Sequence, residues 1–215
     1  MKTATHREDG KETRNKILIC AGHLIAANGY SKTTSKQICE AAQVNIAAVN
    51  YHFGSRDGLY IALLEEVQNY LLSMDELTAI CQCTASSREK IASVISRLLE
   101  ADFAEDNWQI RLWLKEMLAP SPFIGQILTS KALPKMEMIL SLFSDYLGYD
   151  KKDPRLYGAI VSMMSPFLVC LLGQDNPLLP YLPAHYSQKT FIPIIKENAL
   201  RVLDCLRKEN TCPKG

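Results

Sequence analysis

The sequence predicts an all-α protein. Nowhere does a period-two alternation of apolar and polar residues persist between turn signals, as a half-buried strand requires. Apolar residues recur instead at helical spacing along most of the chain. The interruptions carry helix-ending chemistry: Gly29, Gly54, Pro120-Ser-Pro122, Gly148-Tyr-Asp150 and a proline-rich run over 176–183.

Over 11–28, Ile17, Cys20, Ala21, Leu24 and Ile25 fall on one stripe while Lys11, Arg14 and Lys16 stay polar; Gly29 then closes the helix. The segment 31–35 is rich in capping residues and introduces a short helix over 36–42. Gln43-Val44-Asn45 reads as a turn, with Asn45 as N-cap of a second short helix over 46–53. A single long helix is expected over 57–77, with Leu59, Leu63, Val67, Tyr70 and Leu71 inward. Further helices are expected over 87–104, 108–118, 123–147, 153–172 and 187–208. Pro134 should kink or divide the helix over 123–147, and Pro166 should kink that over 153–172. The domain boundary is expected near residue 58, giving a small head (1–58) and a larger helical bundle (59–215).

At 215 residues, 47% hydrophobic and 22% charged, the chain has an ordinary globular composition. No run of eighteen apolar residues offers a membrane span, and the first residues have no apolar stretch resembling a signal peptide. Seven cysteines form an odd set at irregular spacing, which argues against a disulfide framework and for a reducing cytoplasm. Cys81-Gln-Cys83 lacks the second half of a zinc pattern, so no metal and no cofactor are expected. No Ser/His/Asp, Cys/His or paired-carboxylate set converges, and an enzyme is set aside. The first sixty residues hold eight Lys and Arg against five Asp and Glu, a net +3, and the remainder is −2. A mildly basic head on a mildly acidic body suits a nucleic-acid-binding module.

Two short helices joined by a three-residue turn fit insertion of the second into a DNA major groove. Ile38, Cys39, Ala42, Val44, Val49 and Phe53 can form the small core that fixes the angle between them. Ala41, Ala42, Ala47 and Ala48 are small enough for close approach of helix and DNA. The pattern alone also fits other all-α proteins that bind no DNA.

The stretch 48–59, Ala-Val-Asn-Tyr-His-Phe-Gly-Ser-Arg-Asp-Gly-Leu, resembles the signature of the TetR family of regulators. The likeness extends back through Gly29-Tyr30, Thr33-Thr34, Ile38 and Ala41-Ala42, covering about 11–60. It implies an N-terminal three-helix helix-turn-helix DNA-binding domain, a C-terminal helical ligand-binding and dimerisation bundle, and a homodimer. Carried over by position, Thr34 and Lys36 would meet phosphates or the groove edge. Ile46, Ala47 and Ala48 would face bases, where their apolar groups can touch thymine methyls. Tyr51 and His52 would reach phosphates, Arg56 would contact the backbone, and the helix N-termini would add anion affinity. Each has a plainer alternative: His52 as a surface histidine, Tyr51 packed under the helix, Lys36 and Arg56 as solvated charges. Two positions depart from the family. Asn50 stands where Tyr is frequent, shortening that contact and allowing a hydrogen bond to a base. Gln43 stands where Gly is usual, at a cost of about 1 kcal/mol if its φ is positive.

Beyond residue 60 the pattern is less specific. Phe103, Trp113, Glu116, Met117, Phe143, Met163 and Phe167 are the candidate effector pocket, with core packing as the alternative for each. Arg111 or Glu116 could orient a polar ligand group, or simply pair with a neighbour. Gly158, Ala159, Ser162 and Ser165 permit close helix approach. Ile194, Ile195, Ala199, Val202, Leu203 and Leu206 form an apolar stripe on the last helix. Those last two long helices are the expected dimer interface. The expected function is a ligand-responsive regulator, a repressor by preference, binding a palindromic double-stranded operator. Activation is the other polarity, and no residue names the effector.

Overall fold

A computed structural model describes residues 3–102, 107–173 and 188–211, and every regular element among them is helical. In chain order these are α1 (Thr3–Asn28), α2 (Ser35–Ala42), α3 (Ile46–Phe53), α4 (Arg56–Leu71), α5 (Met74–Gln82) and α6 (Ser87–Asp102). There follow α7 (Trp108–Leu118), α8 (Ile124–Ile127), a π-helical turn (Leu128–Ala132), α9 (Leu133–Leu147), α10 (Pro154–Gly173) and α11 (Gln188–Thr211). The all-α expectation holds.

The start of α1 and the helix expected over 57–77 differ from expectation. Helix α1 begins at Thr3, well before residue 11. The helix expected over 57–77 is two helices, because Ser73 starts a new one. The Ser73 hydroxyl accepts from the Glu76 N–H at 3.2 Å, and the Glu76 carboxylate accepts from the Ser73 N–H at 2.8 Å. This reciprocal capping box satisfies donors that a continuous helix would have paired internally. The Ser73 hydroxyl donating to the Glu76 carboxylate at 2.7 Å, then the Ser73 N–H, with the Arg97 guanidinium 2.9 Å away, hold that carboxyl down at about 2. The helix expected over 123–147 is divided next to Pro134, as expected. Pro134 lies in the first turn of α9, where its missing N–H costs nothing, and the π-helical turn precedes it.

Packing groups the chain into two compact units. One comprises Met1–Tyr70 with Asp106–Lys131; the other comprises Leu71–Glu105 with Ala132–Gly215. Helix α7 joins the first unit because α1 makes room for it. A Cβ placed on Gly22 would stand 2.6 Å from the buried Trp108 indole, so only glycine allows this contact. His23 packs edge-on to the same ring at 6.3 Å. Lys115 then donates to the Ala27 carbonyl at 2.8 Å, satisfying an end of α1 that has no intrahelical donor. Substituting Gly22 with alanine should lower stability by about 2 kcal/mol through overpacking. Thermal denaturation reads this directly, and an unchanged melting temperature would contradict the fit.

The second unit is built on Leu77, Ile91, Ile95, Leu99, Phe143, Leu147, Leu156 and Leu203. Arg88 forks onto the Asp204 carboxylate at 2.9 and 3.0 Å, and the Tyr146 hydroxyl donates to the same group. Lys135 is buried and donates to the Leu72 carbonyl at 2.8 Å. The apolar stripe of α11 is split between two jobs. Ile195, Ala199 and Leu203 enter the core, whereas Ile194 and Val202 remain exposed, as do Tyr157 and Val161 on α10.

Candidate DNA-binding surface

The turn between α2 and α3 is set by three local devices. Thr34 caps α2: its hydroxyl accepts from the Gln37 N–H (3.3 Å), and the Gln37 side chain accepts from the Thr34 N–H (2.8 Å). At the other end Gln43 adopts φ 53 and ψ 45, the left-handed conformation expected where the family carries glycine. There the Gln43 N–H donates to the Glu40 carbonyl at 3.2 Å, and the Val44 N–H donates to the Cys39 carbonyl at 3.0 Å. Asn45 then caps α3 by accepting from the Ala48 N–H at 2.9 Å. Ile38, Ala42 and Val49 are fully buried beneath the two helices, Cys39 is buried beside them, and Val44 and Phe53 are half-buried.

This core turns one face of α3 outward. Ile46, Ala47, Asn50 and Tyr51 are exposed at positions i, i+1, i+4 and i+5, a single helical stripe. Ala48 and His52 flank it half-buried. Tyr51 is 85% exposed, so its ring does not pack under the helix; it meets the His52 ring edge-on at 5.0 Å. An exposed side chain ending in a hydroxyl, beside an imidazole, suits phosphate contact. Lys36 on α2 is exposed and 3.8 Å from Glu40, an i,i+4 surface pair worth a few tenths of a kcal/mol. So weak a pair leaves the ammonium able to swing onto a phosphate.

Two expected contact residues also make bonds within the protein. The Thr34 hydroxyl is occupied by the capping box, donating to Gln37 Oε1 at 3.0 Å as well as accepting. Arg56 donates to the Tyr30 carbonyl, and its guanidinium lies 4.1 Å from the Tyr30 ring centroid. Tyr30 in turn donates from its hydroxyl to Asp57. Burial first, and then that hydrogen bond, push the Tyr30 hydroxyl up to about 12, so it stays a donor at physiological pH. Arg56 and Tyr30 together pin the α1–α2 turn to the start of α4. This long-range partner is invisible in the local sequence. Conversely, two cations not assigned from sequence lie against the α2–α3 module. The Arg14 guanidinium sits 5.0 Å from the Phe53 ring centroid, and Lys16 donates to Gln43 Oε1 at 3.4 Å.

The candidate pocket residues do not gather in one unit. Phe143 and Met163 are buried in the core of the second unit, while Trp113, Glu116 and Met117 belong to α7 in the first. Glu116 is 4% exposed and fully engaged. Its Oε1 accepts from the Tyr60 hydroxyl, and its Oε2 accepts from the Ser121 N–H and hydroxyl, both at 3.0 Å. Arg111 is exposed. Phe103 lies outside the described residues, as does the side chain of Phe167 on α10.

Comparison with known proteins agrees with this geometry. Residues 17–63 match the family described as bacterial regulatory proteins, tetR family. Residues 87–190 match the C-terminal domain of the HTH-type transcriptional dual regulator CecR. Along the chain, similarity is found to that dual regulator from Shigella flexneri, at 22% identity over 79% of this chain and 80% of the relative. The probable HTH-type transcriptional regulator YttP of Bacillus subtilis is 26% identical over 81% of this chain and 79% of its own. In fold the protein is similar to Mycobacterium smegmatis AmtR, with TM-score 0.63 and 19% identity, covering 88% of this chain and 85% of that one. It is also similar to AibR, solved with isovaleryl coenzyme A and operator DNA, with TM-score 0.62 and 15% identity over 87% and 96% of the chains. A helix-turn-helix with an outward-facing α3, followed by a helical domain of the same lineage, places this chain in the TetR family of DNA-binding transcriptional regulators.

Proposed function

We propose that this regulator acts in the cytoplasm as a homodimer, binds an inverted-repeat operator, represses there, and is released by a small-molecule effector. The observation that carries the DNA-binding part is the exposed stripe Ile46-Ala47-Asn50-Tyr51 on a rigidly capped α3. Ile46, Ala47 and Ala48 read bases through apolar contact, Asn50 hydrogen-bonds a base or phosphate, and Tyr51, His52 and Lys36 hold phosphates. Thr34 and Arg56 keep the module in shape.

For the dimer, the supporting feature is apolar surface left exposed on the last two helices. Val161 is 65% exposed, beside Tyr157 on α10, with Ile194 and Val202 on α11. A two-fold axis would bury this face against its own copy, and protein symmetry then imposes operator symmetry. Among the expected pocket residues, Trp113 and Met117 retain surface for a ligand, whereas Glu116, Phe143 and Met163 are committed to the protein's own packing. The effector shifts DNA affinity only by its differential affinity for the two states. Light scattering and binding to a full inverted repeat against a half-site test the assembly. A dimeric mass with strong preference for the full repeat is expected; a monomer binding both duplexes equally would contradict it.

A further inference from the structure

We propose that Arg14 and Lys16 of α1 are phosphate anchors that flank the recognition helix, extending the DNA contact beyond the helix-turn-helix itself. The inference rests on the DNA-binding reading given above. Both residues are exposed on α1, three positions and one position before Ile17, where the described side chains of this helix first enter the core. Neither belongs to the apolar stripe that holds α1 in the head. Yet the fold brings each against a different end of the reading element. Lys16 reaches Gln43, two residues before the cap of α3, and Arg14 lies over Phe53, the last residue of α3.

The dimensions suit this role. An eight-residue helix is about 12 Å long, comparable with the roughly 12 Å width of the major groove. Cations fixed near its two ends therefore sit near the phosphates that border the groove. The C-terminal end of α3 carries the negative pole of the helix dipole, which would repel a phosphate unless a cation lies there. Arg14 supplies one. The internal contacts do not exhaust either group. A cation–π contact engages the plane of the guanidinium and leaves its N–H fork to bind oxygen anions. The 3.4 Å contact to Gln43 uses one of three ammonium donors and is long for a hydrogen bond.

The test is the salt dependence of binding to the duplex that the wild-type protein enriches from a random-sequence pool. Each phosphate contact adds about −0.9 to the log–log slope. The double variant R14Q/K16Q removes four contacts from a dimer and should flatten the slope by about 3.6. The variant R14K/K16R should retain the wild-type slope, and both should keep the wild-type circular-dichroism melting curve. Lys152→Gln, in the loop between α9 and α10, controls for bulk charge and should change nothing. A double-variant slope equal to wild type would overturn the inference, as would an equal loss in the Lys152 control. In either case a steep wild-type slope would leave the DNA-binding reading standing. A wild-type protein that enriches no duplex would remove that reading, and the inference with it.

Discussion

Replacing Ala47 with tryptophan is expected to weaken binding to the proposed operator at least about a hundredfold, close to 3 kcal/mol, without changing the mass of the proposed dimer. Ala47 is exposed in the middle of the outward stripe of α3 and is not part of the buried core. The fold can therefore accept the larger side chain. The groove cannot, because an indole at this position holds the helix away from the base edges. Ala47→Ser, of nearly the same size, should cost far less. The pair separates steric placement from any general effect of substitution on α3. Binding titrations with light scattering read both quantities, and an unchanged affinity in the tryptophan variant would refute the placement of α3. The same stripe bears on how sequence is read. Ile46, Ala47 and Ala48 bring no long hydrogen-bonding side chain, and Asn50 is the short exception. Under the proposed reading, specificity is expected to lean on thymine methyls, phosphate placement and DNA shape.

The second large effect is expected at Glu116, where alanine should cost about 3 kcal/mol and lower the melting temperature by about 8 °C. The Glu116 carboxylate joins α7 to α4 through Tyr60, which is 2% exposed, and to the turn after α7 through Ser121. Removing it leaves a buried hydroxyl and a backbone N–H without their acceptor, the costly case for hydrogen bonds in the interior. Burial, reinforced by the bond to Glu116, raises the Tyr60 hydroxyl far above the usual tyrosine range, so it remains a donor throughout the working pH range. Tyr60 also stacks with Tyr30 at 4.3 Å and meets Phe123 at 5.8 Å, tying the damage to the turn that Arg56 pins. Glu116→Gln should fall between wild type and alanine, because the amide keeps one acceptor but cannot accept from both partners. A melting temperature unmoved by alanine would mean that Glu116 serves a ligand and not the fold.

Much of the reading element was legible because its determinants are local. Asn45 caps α3 and Gly54 follows it with φ 75, both from residue types at fixed offsets, whereas the left-handed Gln43 was suggested only by the glycine the resembled family carries there. The break at Ser73 was equally local, since Ser73-x-x-Glu76 is a capping-box spacing. The helical stripe from Leu59 to Leu71 continues in phase towards Leu77 and hides it. Other features depend on partners far along the chain. That Arg56 would stack on Tyr30, or Trp108 settle on Gly22, is decided by packing and not by spacing. For the same reason Glu116 read as a possible ligand group, when its partners are Tyr60 and Ser121. Large apolar side chains such as Phe143 and Met163 look alike in a pocket and in a core, and here they lie in the core.

Mapping the DNA bound by the full-length protein across its genome, followed by footprinting of the strongest site, tests the central claim most directly. The account predicts a protected inverted repeat whose half-sites are spaced by about one helical turn, or a multiple of it, and whose protection is lost in the Ala47→Trp variant. Binding spread evenly over DNA with no protected repeat, or a footprint that survives that variant, would contradict it.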